Sequence, residues 1–278
     1  MTVLLPYEAY DGWARTPLET SPRISVVIPA YNEAIRILPT VGAIALHMSQ
    51  RGEPWELVVA DDGSTDSTVE LLRGLGWANL RVLVAERNGG KGSAVRRGML
   101  AARGDYILFA DADQSTPIEQ FDLLLGSLVD EGYDLAIGSR AATGAAVSNK
   151  SLLRKTLSAG LRAVVRVGFG LAIADTQCGF KLFTADAAHH LFDLQVIDSF
   201  SFDLEVLYLA ERIGLRTAEI PVEWIDAPGS TVEAGKVSAQ FLVELVKIRV
   251  HDLRGRYAVT DRPARAAALP GLTTEGDR

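Results

Sequence analysis

The chain has 278 residues, 48% of them hydrophobic, with a formal net charge of −7 and one cysteine, Cys178. That much apolar surface fills one large α/β domain or two small ones and excludes a disordered chain, while the acidic balance speaks against general nucleic-acid binding, which asks for a basic footprint. A lone cysteine excludes an internal disulfide framework or a cysteine-based zinc site, and with neither a basic-then-apolar leader nor an apolar run near the roughly 18–20 residues of a membrane span, a cytoplasmic location with peripheral membrane contact at most is expected.

In chain order, residues 1–22 mix Pro, Gly and isolated aromatics without a period and read as an arm or poorly ordered lead-in. From Arg23 the pattern turns regular. Ile24 to Ile28 is a β-rich apolar run, Glu33 to Arg51 reads as a helix, and Glu56 to Ala60 is a second strand. Thr65 to Leu75 is helical, Leu80 to Val84 a third strand, and Lys91 to Arg103 a helix. Tyr106 to Ala110 is a strand, Pro117 to Asp130 a helix with Pro in its first turn, and Tyr133 to Ile137 a further strand. Apolar strands alternating with helices predict a mostly parallel sheet covered on both faces.

The second half is less regular. Residues 150–173 look helical, and 152–173 combine an apolar face with Arg154, Lys155, Arg162 and Arg166: either an amphipathic helix lying at a membrane interface or an ordinary helix packed on the sheet. Phe180 to Phe183 reads as a short strand, Phe202 to Ile213 as a helix and Leu215 to Trp224 as extended. Residues 234–253 form an amphipathic helix whose end carries Lys247, Arg249, Arg254 and Arg256; it packs on the core, contacts anionic lipid or pairs with another subunit of a homo-oligomer. The tail from Tyr257 is expected to be flexible.

Four features line up at the carboxyl ends of successive predicted strands, where open α/β sheets place their ligands. They are Pro29-Ala30-Tyr31-Asn32-Glu33, Asp61-Asp62-Gly63-Ser64-Thr65-Asp66, Asn88-Gly89-Gly90-Lys91-Gly92 and Asp111-Ala112-Asp113. Each alone reads equally well as an ordinary strand-to-helix turn. Asp61 or Asp62 suits hydrogen bonds from a base amide or a ribose hydroxyl, or one of this turn's residues caps the next helix. The glycines let backbone and the Lys91 ammonium approach a phosphate at a helix N-terminus, although neither a Walker P-loop nor a G-x-G-x-x-G fingerprint is present. Asp111 and Asp113, one residue apart on a turn, are costly neighbours unless a cation neutralises them, and a hard divalent ion with oxygen ligands fits best. A diphosphate bridged by metal to Asp113 is the economical reading.

The strings PAYNE, VVADDGSTDST, NGGKGSAVRRG, FADADQSTP and IGSR, in this order and spacing, resemble the inverting glycosyltransferases of family 2 with the GT-A (Rossmann-like) fold. DTQCGFKLF (Asp175 to Phe183), FSFDLEVLYLAERIG (Phe200 to Gly214) and PVEWIDAPGS (Pro221 to Ser230) look like the dolichyl-phosphate β-glucosyltransferase branch, with mannose synthases close by. The resemblance covers about residues 23–250. It implies one GT-A domain over 23–256, with a nucleotide-sugar-binding half (23–140) and an acceptor half (141–256), followed by a tail over 257–278.

Carried onto matching positions, the resemblance implies that Pro29, Ala30 and Glu33 line the base pocket, with Asp61 on uracil or ribose and Tyr31 and Asp62 among the substrate-binding residues. Lys91, Asp111 and Ala112 belong to the donor site, and Asp113, with Asp111, to a divalent metal, Mg2+ or Mn2+. Some mannose synthases of the family add a Gln two residues beyond the second Asp; here that place holds Ser115, with Gln114 displaced by one, so a third protein ligand is left open. Arg140 is expected at the diphosphate or, with Lys181, at an acceptor phosphate. Asp175 and Asp203 are candidates for a base or for orienting the acceptor. Asp175 reads equally as a brace of the following strand, and Asp203 with Glu205 as a solvated helix face. Cys178 reads as a small packed thiol rather than a nucleophile, and the four histidines lack the H-E-x-x-H spacing of metal ligands.

The activity implied is transfer of a hexose, glucose first, from a nucleotide sugar such as UDP-glucose to a polyprenyl or dolichyl phosphate at a membrane surface. GDP-mannose as donor and a soluble acceptor are the enzymatic alternatives. A non-catalytic nucleotide-sugar-binding protein and a flavodoxin-like signalling domain are readings from other classes.

Overall fold

The computed structural model describes residues 10–142, 168–225 and 234–257, and for 234–242 the backbone alone. The expected interface helix over 152–173 and the tail from 258 fall largely or wholly outside these residues.

Seven strands form one sheet in the order β3-β2-β1-β4-β6-β5-β7. β1 (Ile24–Ala30), β2 (Trp55–Asp61), β3 (Leu80–Val84) and β4 (Tyr106–Ala110) run parallel. β5 (Leu135–Ser139) and β7 (Thr217–Pro221) are parallel to each other, and β6 (Phe180–Thr184) runs antiparallel between β4 and β5. β1 and β2 are buried along their whole length. That is why they read as continuous apolar runs rather than as alternations.

The sheet divides the core in two. Ile24, Val26, Ile28, Leu57 and Val59 face α2 (Ile37–Gln50), α3 (Thr68–Gly74) and α5 (Phe121–Val129). Val27, Val58, Ile107 and Phe109 face α4 (Lys91–Ala101), α6 (Ala185–Leu194) and α7 (Phe202–Arg212), with Ile248 of α8 (Ala234–Leu253) joining that side. Neighbouring residues of one strand thus serve opposite cores, as the period of two requires. Among the described residues no helix is long and apolar enough to cross a membrane.

Four findings correct the sequence reading. First, the expected lead-in is docked from Tyr10 onward. Its helix α1 (Asp11–Arg15) stacks Trp13 on Trp55 at 3.9 Å between ring centroids, and Asn79 donates to Trp13 O and Thr16 O at 2.6 and 2.8 Å. Isolated aromatics without a period still bury when the sheet offers partners. Second, α6 was not foreseen, although Thr184 caps it by accepting from Ala187 N at 3.4 Å, which is the usual role of Thr at that place. Third, Tyr257, counted with the tail, is a core residue at 1% exposure. Helix α2 also begins later than expected, because Glu33 to Arg36 form a turn in which both Glu33 oxygens bind the Arg36 guanidinium.

Candidate active site

All four parallel strands β1 to β4 end at one edge, and their loops lace together there. Asp61, the last residue of β2, accepts from Gly63 N at 3.1 Å, Ser64 N at 2.9 Å and Ser64 Oγ at 2.5 Å. Its carboxylate therefore shapes its own turn. Asp62 accepts from Gly89 N at 3.1 Å and Gly90 N at 2.8 Å, pinning the glycine loop after β3 to the turn after β2. The loop after β1 is held in the same way: Asn32 N donates to Ser64 Oγ, Thr65 N to Asn32 Oδ1, and Glu33 N to Thr68 Oγ1. Asn32 sits at φ +55°, a conformation Asn tolerates better than most side chains. Pro29 and Ala30 end β1 inside this cradle, while Tyr31 stands exposed at its rim.

Gly90 caps the start of α4 at φ +102°, and a Cβ there would lie 2.4 Å from Asp198 O. Lys91 follows as the first residue of α4. Its Nζ reaches Asp111 Oδ1 at 2.6 Å and lies over the rings of Phe109 and Phe200, at 5.5 and 5.7 Å from their centroids. Burial works against the Lys91 ammonium, but the carboxylates of Asp111, Asp203 and Asp113 outweigh it and raise its pKa. The lysine thus stays charged at the N-terminus of α4, a place that favours anions.

The antiparallel strand β6 decides what meets the Asp111-Ala112-Asp113 turn. Because β6 enters the sheet from the carboxyl edge of β4, with Ala110 opposite Phe180, the residues just before it stand beside that turn. Gly179 O accepts from Asp111 N at 2.9 Å, and a Cβ on Gly179 would lie 1.9 Å from Asp111 Oδ2. Only glycine leaves room for the carboxylate. The sequence did not single this residue out; its local signal was a Gly directly ahead of a short strand, where close backbone approach is a known reason for Gly.

Arg140, just past β5, binds Asp175 in a fork: Nε to Oδ2 at 2.7 Å and Nη2 to Oδ1 at 2.9 Å, with Arg140 N also donating to Oδ2. Asp175 is in turn seated by Glu219, which accepts from Ala174 N and Asp175 N. Burial pushes the Asp175 carboxyl up, and the Arg140 guanidinium more than reverses this, leaving its pKa lowered. Trp224 lies under the guanidinium at 5.7 Å.

Lys181 and Asp203 form a buried pair, 2.5 Å apart, at 1% and 4% exposure. The ammonium also donates to Cys178 O at 2.5 Å. The expectation of an accessible Lys181 on an acceptor phosphate gives way to this buried pair, since strand β6 turns the side chain into the core opposite Phe109. Asp203 is likewise no solvated helix face. Burial raises its pKa despite the two nearby lysines. Glu205, also buried, accepts from Val196 N and Ile197 N and takes the Tyr257 hydroxyl. Cys178 is buried, and burial first, then Asp175, push its thiol up to about 11, so it is inert at neutral pH.

The donor set of the acidic turn fits a hard divalent ion. Asp111 and Asp113 offer only oxygens at a half-exposed edge beside the glycine loop and Lys91. Asp113 Oδ1 is oriented by Ser115 N at 2.9 Å. Gln114, at φ +54°, turns its amide back to Thr40 Oγ1 at 3.2 Å and away from this pair. Among the described residues no group of three or more His, Cys, Asp or Glu is placed to hold a metal. Two carboxylates completed by substrate phosphate and water is the usual arrangement for Mg2+ at phosphate sites.

Comparison with known proteins gives the family and the fold. A family model described as Glycosyl transferase family 2 matches residues 25–192. A dolichyl-phosphate beta-glucosyltransferase of Drosophila melanogaster is 41% identical over 230 residues, covering 77% of this chain and 71% of that protein. The one from Saccharomyces cerevisiae is 37% identical over 255 residues, covering 84% and 76%. The crystal structure of glucosyl-3-phosphoglycerate synthase from Mycobacterium tuberculosis with phosphoglyceric acid shares the fold at a TM-score of 0.63 and 23% identity, covering 94% of this chain and 87% of that one. The same enzyme in complex with Mn2+, UDP-glucose and phosphoglyceric acid gives 0.61 at 23% identity, covering 92% and 84%. With its sheet, its acidic turn and its motifs in order, the chain is a GT-A-fold glycosyltransferase and belongs to glycosyl transferase family 2.

Proposed function

We propose that the enzyme transfers glucose, with inversion, from UDP-glucose to the phosphate of a polyprenyl or dolichyl carrier. An acceptor phosphate oxygen forms the new bond to the anomeric carbon as the bond from that carbon to UDP breaks, and UDP leaves as the diphosphate. The loops after β1 and β2 hold the nucleoside, and the glycine loop with Lys91 holds the diphosphate. Asp113 and Asp111 would hold a divalent ion, which when bound neutralises charge on the departing diphosphate. Arg140, oriented by Asp175, faces the acceptor phosphate.

One observation carries the choice of a phosphate acceptor: both carboxylates expected as bases are engaged. Asp175 is tied to Arg140 with its pKa lowered, and Asp203 is buried against Lys181. A sugar hydroxyl needs a base to take its proton, whereas a phosphate monoester arrives largely ionised at neutral pH. The names of the relatives, dolichyl-phosphate beta-glucosyltransferases, support the same reading, and Mn2+ with UDP-glucose in the structural neighbour supports the donor.

The test is transfer of labelled glucose from UDP-glucose, with Mg2+ or Mn2+, to three acceptors: polyprenyl phosphate, the unphosphorylated polyprenol and phosphoglyceric acid. Product from polyprenyl phosphate alone, absent with GDP-mannose as donor, is expected. Equal transfer to the polyprenol would remove the phosphate-acceptor reading, and product from phosphoglyceric acid alone would move the acceptor into solution.

A further inference from the structure

The C-terminal end of α8 reaches the donor edge through one buried carboxylate that the reaction itself does not use. Glu205, at 0% exposure in the first turn of α7, accepts from Val196 N at 3.1 Å and Ile197 N at 2.8 Å, two amides of the loop 195–201 between α6 and α7. Its other contact is the hydroxyl of Tyr257, which donates to Glu205 Oε1. The same loop wraps the start of α4. Asp198 O accepts from Ser93 N at 3.2 Å, and the Gln195 amide bridges Gly92 O and Ile197 O at 3.0 and 2.7 Å.

Contact there is backbone on backbone. A Cβ on Gly90 would lie 2.4 Å from Asp198 O, and one on Gly92 would lie 2.5 Å from Ile197 O. The loop therefore has no slack toward α4: a shift at Val196 or Ile197 is passed to Gly90 and Lys91. A second strut runs the same way, from Glu244 of α8 to Ser199 Oγ at 2.5 Å, next to Phe200 over the Lys91 ammonium. Burying a carboxylate costs desolvation that nothing in the sheet requires; its donors are two amides of the loop and the hydroxyl that ties them to the end of the chain.

We propose that Tyr257 and Glu205 are positioning residues for the donor: together they lock loop 195–201 against α4 and hold the glycine loop and Lys91 in the geometry that receives the diphosphate. This rests on the reading of that loop as the diphosphate site. It gives the last described turn of the chain, remote in sequence from every donor motif, a role in donor affinity.

The experiment uses the full-length protein and Tyr257→Phe, which keeps the ring and removes only the hydroxyl. Calorimetric titration with UDP and Mn2+ is expected to show binding weakened about fivefold, less than the full loss of one hydrogen bond to a charged group would give, because the bond acts on the donor site only through the loop. The KM for UDP-glucose should rise by the same factor, with kcat at saturating donor unchanged. The control is Asn79→Ala, which cuts the clasp at the opposite edge of the sheet; it lowers Tm but leaves UDP affinity alone. Amide hydrogen exchange without nucleotide supplies a second readout, faster in Tyr257→Phe at Gly90 to Ala94 and unchanged there in Asn79→Ala. Unaltered exchange at α4, or equal weakening of UDP by both variants, overturns the proposal. Wild-type protein that binds no nucleotide, with faster α4 exchange in Tyr257→Phe, overturns the diphosphate reading and leaves the mechanical coupling in place.

Discussion

The two halves of the site are built on different principles. Around β1 to β4, carboxylates bind backbone amides: Asp61 those of Gly63 and Ser64, Asp62 those of Gly89 and Gly90. These groups shape a mouth and leave Lys91 and Asp111 partly open, with side chains 21% and 31% exposed. Around β5 to β7 the charges are spent on each other. Arg140 pairs with Asp175 across 35 residues of sequence, Lys181 with Asp203 across 22, and Tyr257 with Glu205 across 52. The contrast separates loops folded by carboxylates on backbone amides from a half whose charged side chains are paired with one another. Of those, Lys181 and Asp203 are buried and fixed, whereas Arg140 keeps 25% of its side chain exposed and stays available to a ligand.

Variants of the open half should lose activity with little loss of stability, and variants of the buried Lys181–Asp203 pair the reverse, while Arg140 and Tyr257 tie the two halves together and should affect both. The largest effect is expected from Asp113→Ala, whose carboxylate accepts, among the described residues, from Ser115 N. Activity and metal-dependent UDP binding should fall at least about a hundredfold, with Tm unchanged; normal turnover would remove Asp113 from the metal site. In the closed half, Lys181→Met leaves Asp203 buried without its partner and should cost about 3–5 kcal/mol, roughly 10 °C in Tm. The double variant Lys181→Met with Asp203→Leu should recover most of that loss. If it does not, the pair supplies more than mutual neutralisation.

Gly179→Ala tests the seam between the halves. The added methyl must displace the Asp111 carboxylate, so about 1–3 kcal/mol of overpacking is expected, with activity falling further than stability in parallel assays. The smallest effect concerns pH. Asp175 has a lowered folded pKa, so its contribution to stability is present above the ordinary Asp value of about 3.9 and is lost as pH falls through the folded value. In Arg140→Ala burial is opposed only by the backbone amide of residue 140 and by Lys181, so the carboxyl pKa rises and protonation relieves the buried charge. The Tm deficit of Arg140→Ala relative to wild type should therefore shrink by about 2–4 °C between pH 7 and pH 4. A deficit constant with pH would mean that the two groups are not coupled.

Legibility followed the same division. Pro29 to Glu33, the Asp61-Asp62 turn, the glycine loop and Asp111 to Asp113 were readable because each follows its own apolar strand, and parallel strands bring their carboxyl ends to one edge. What each acid does there was not readable, since Asp61 and Asp62 could face a ligand or an amide with the same sequence around them. Gly179, Glu205, Glu219 and Tyr257 carried almost no local signal, because their partners lie tens of residues away.

By itself the sequence determined the alternation of strands and helices, the edge at which the loops gather, and the residue types available there for a phosphate and a hard cation. These follow from short-range patterns: the period of apolar residues, turn chemistry and the spacing of like charges. Only the tertiary structure decided who meets whom. The reversed strand β6 sets Gly179 beside Asp111 and turns Lys181 inward to Asp203, the docked α1 makes an arm part of the core, and Tyr257 is drawn to Glu205. The reason is physical: pairing partners in a sheet depend on strand order and direction, and neither is encoded in any single stretch of chain.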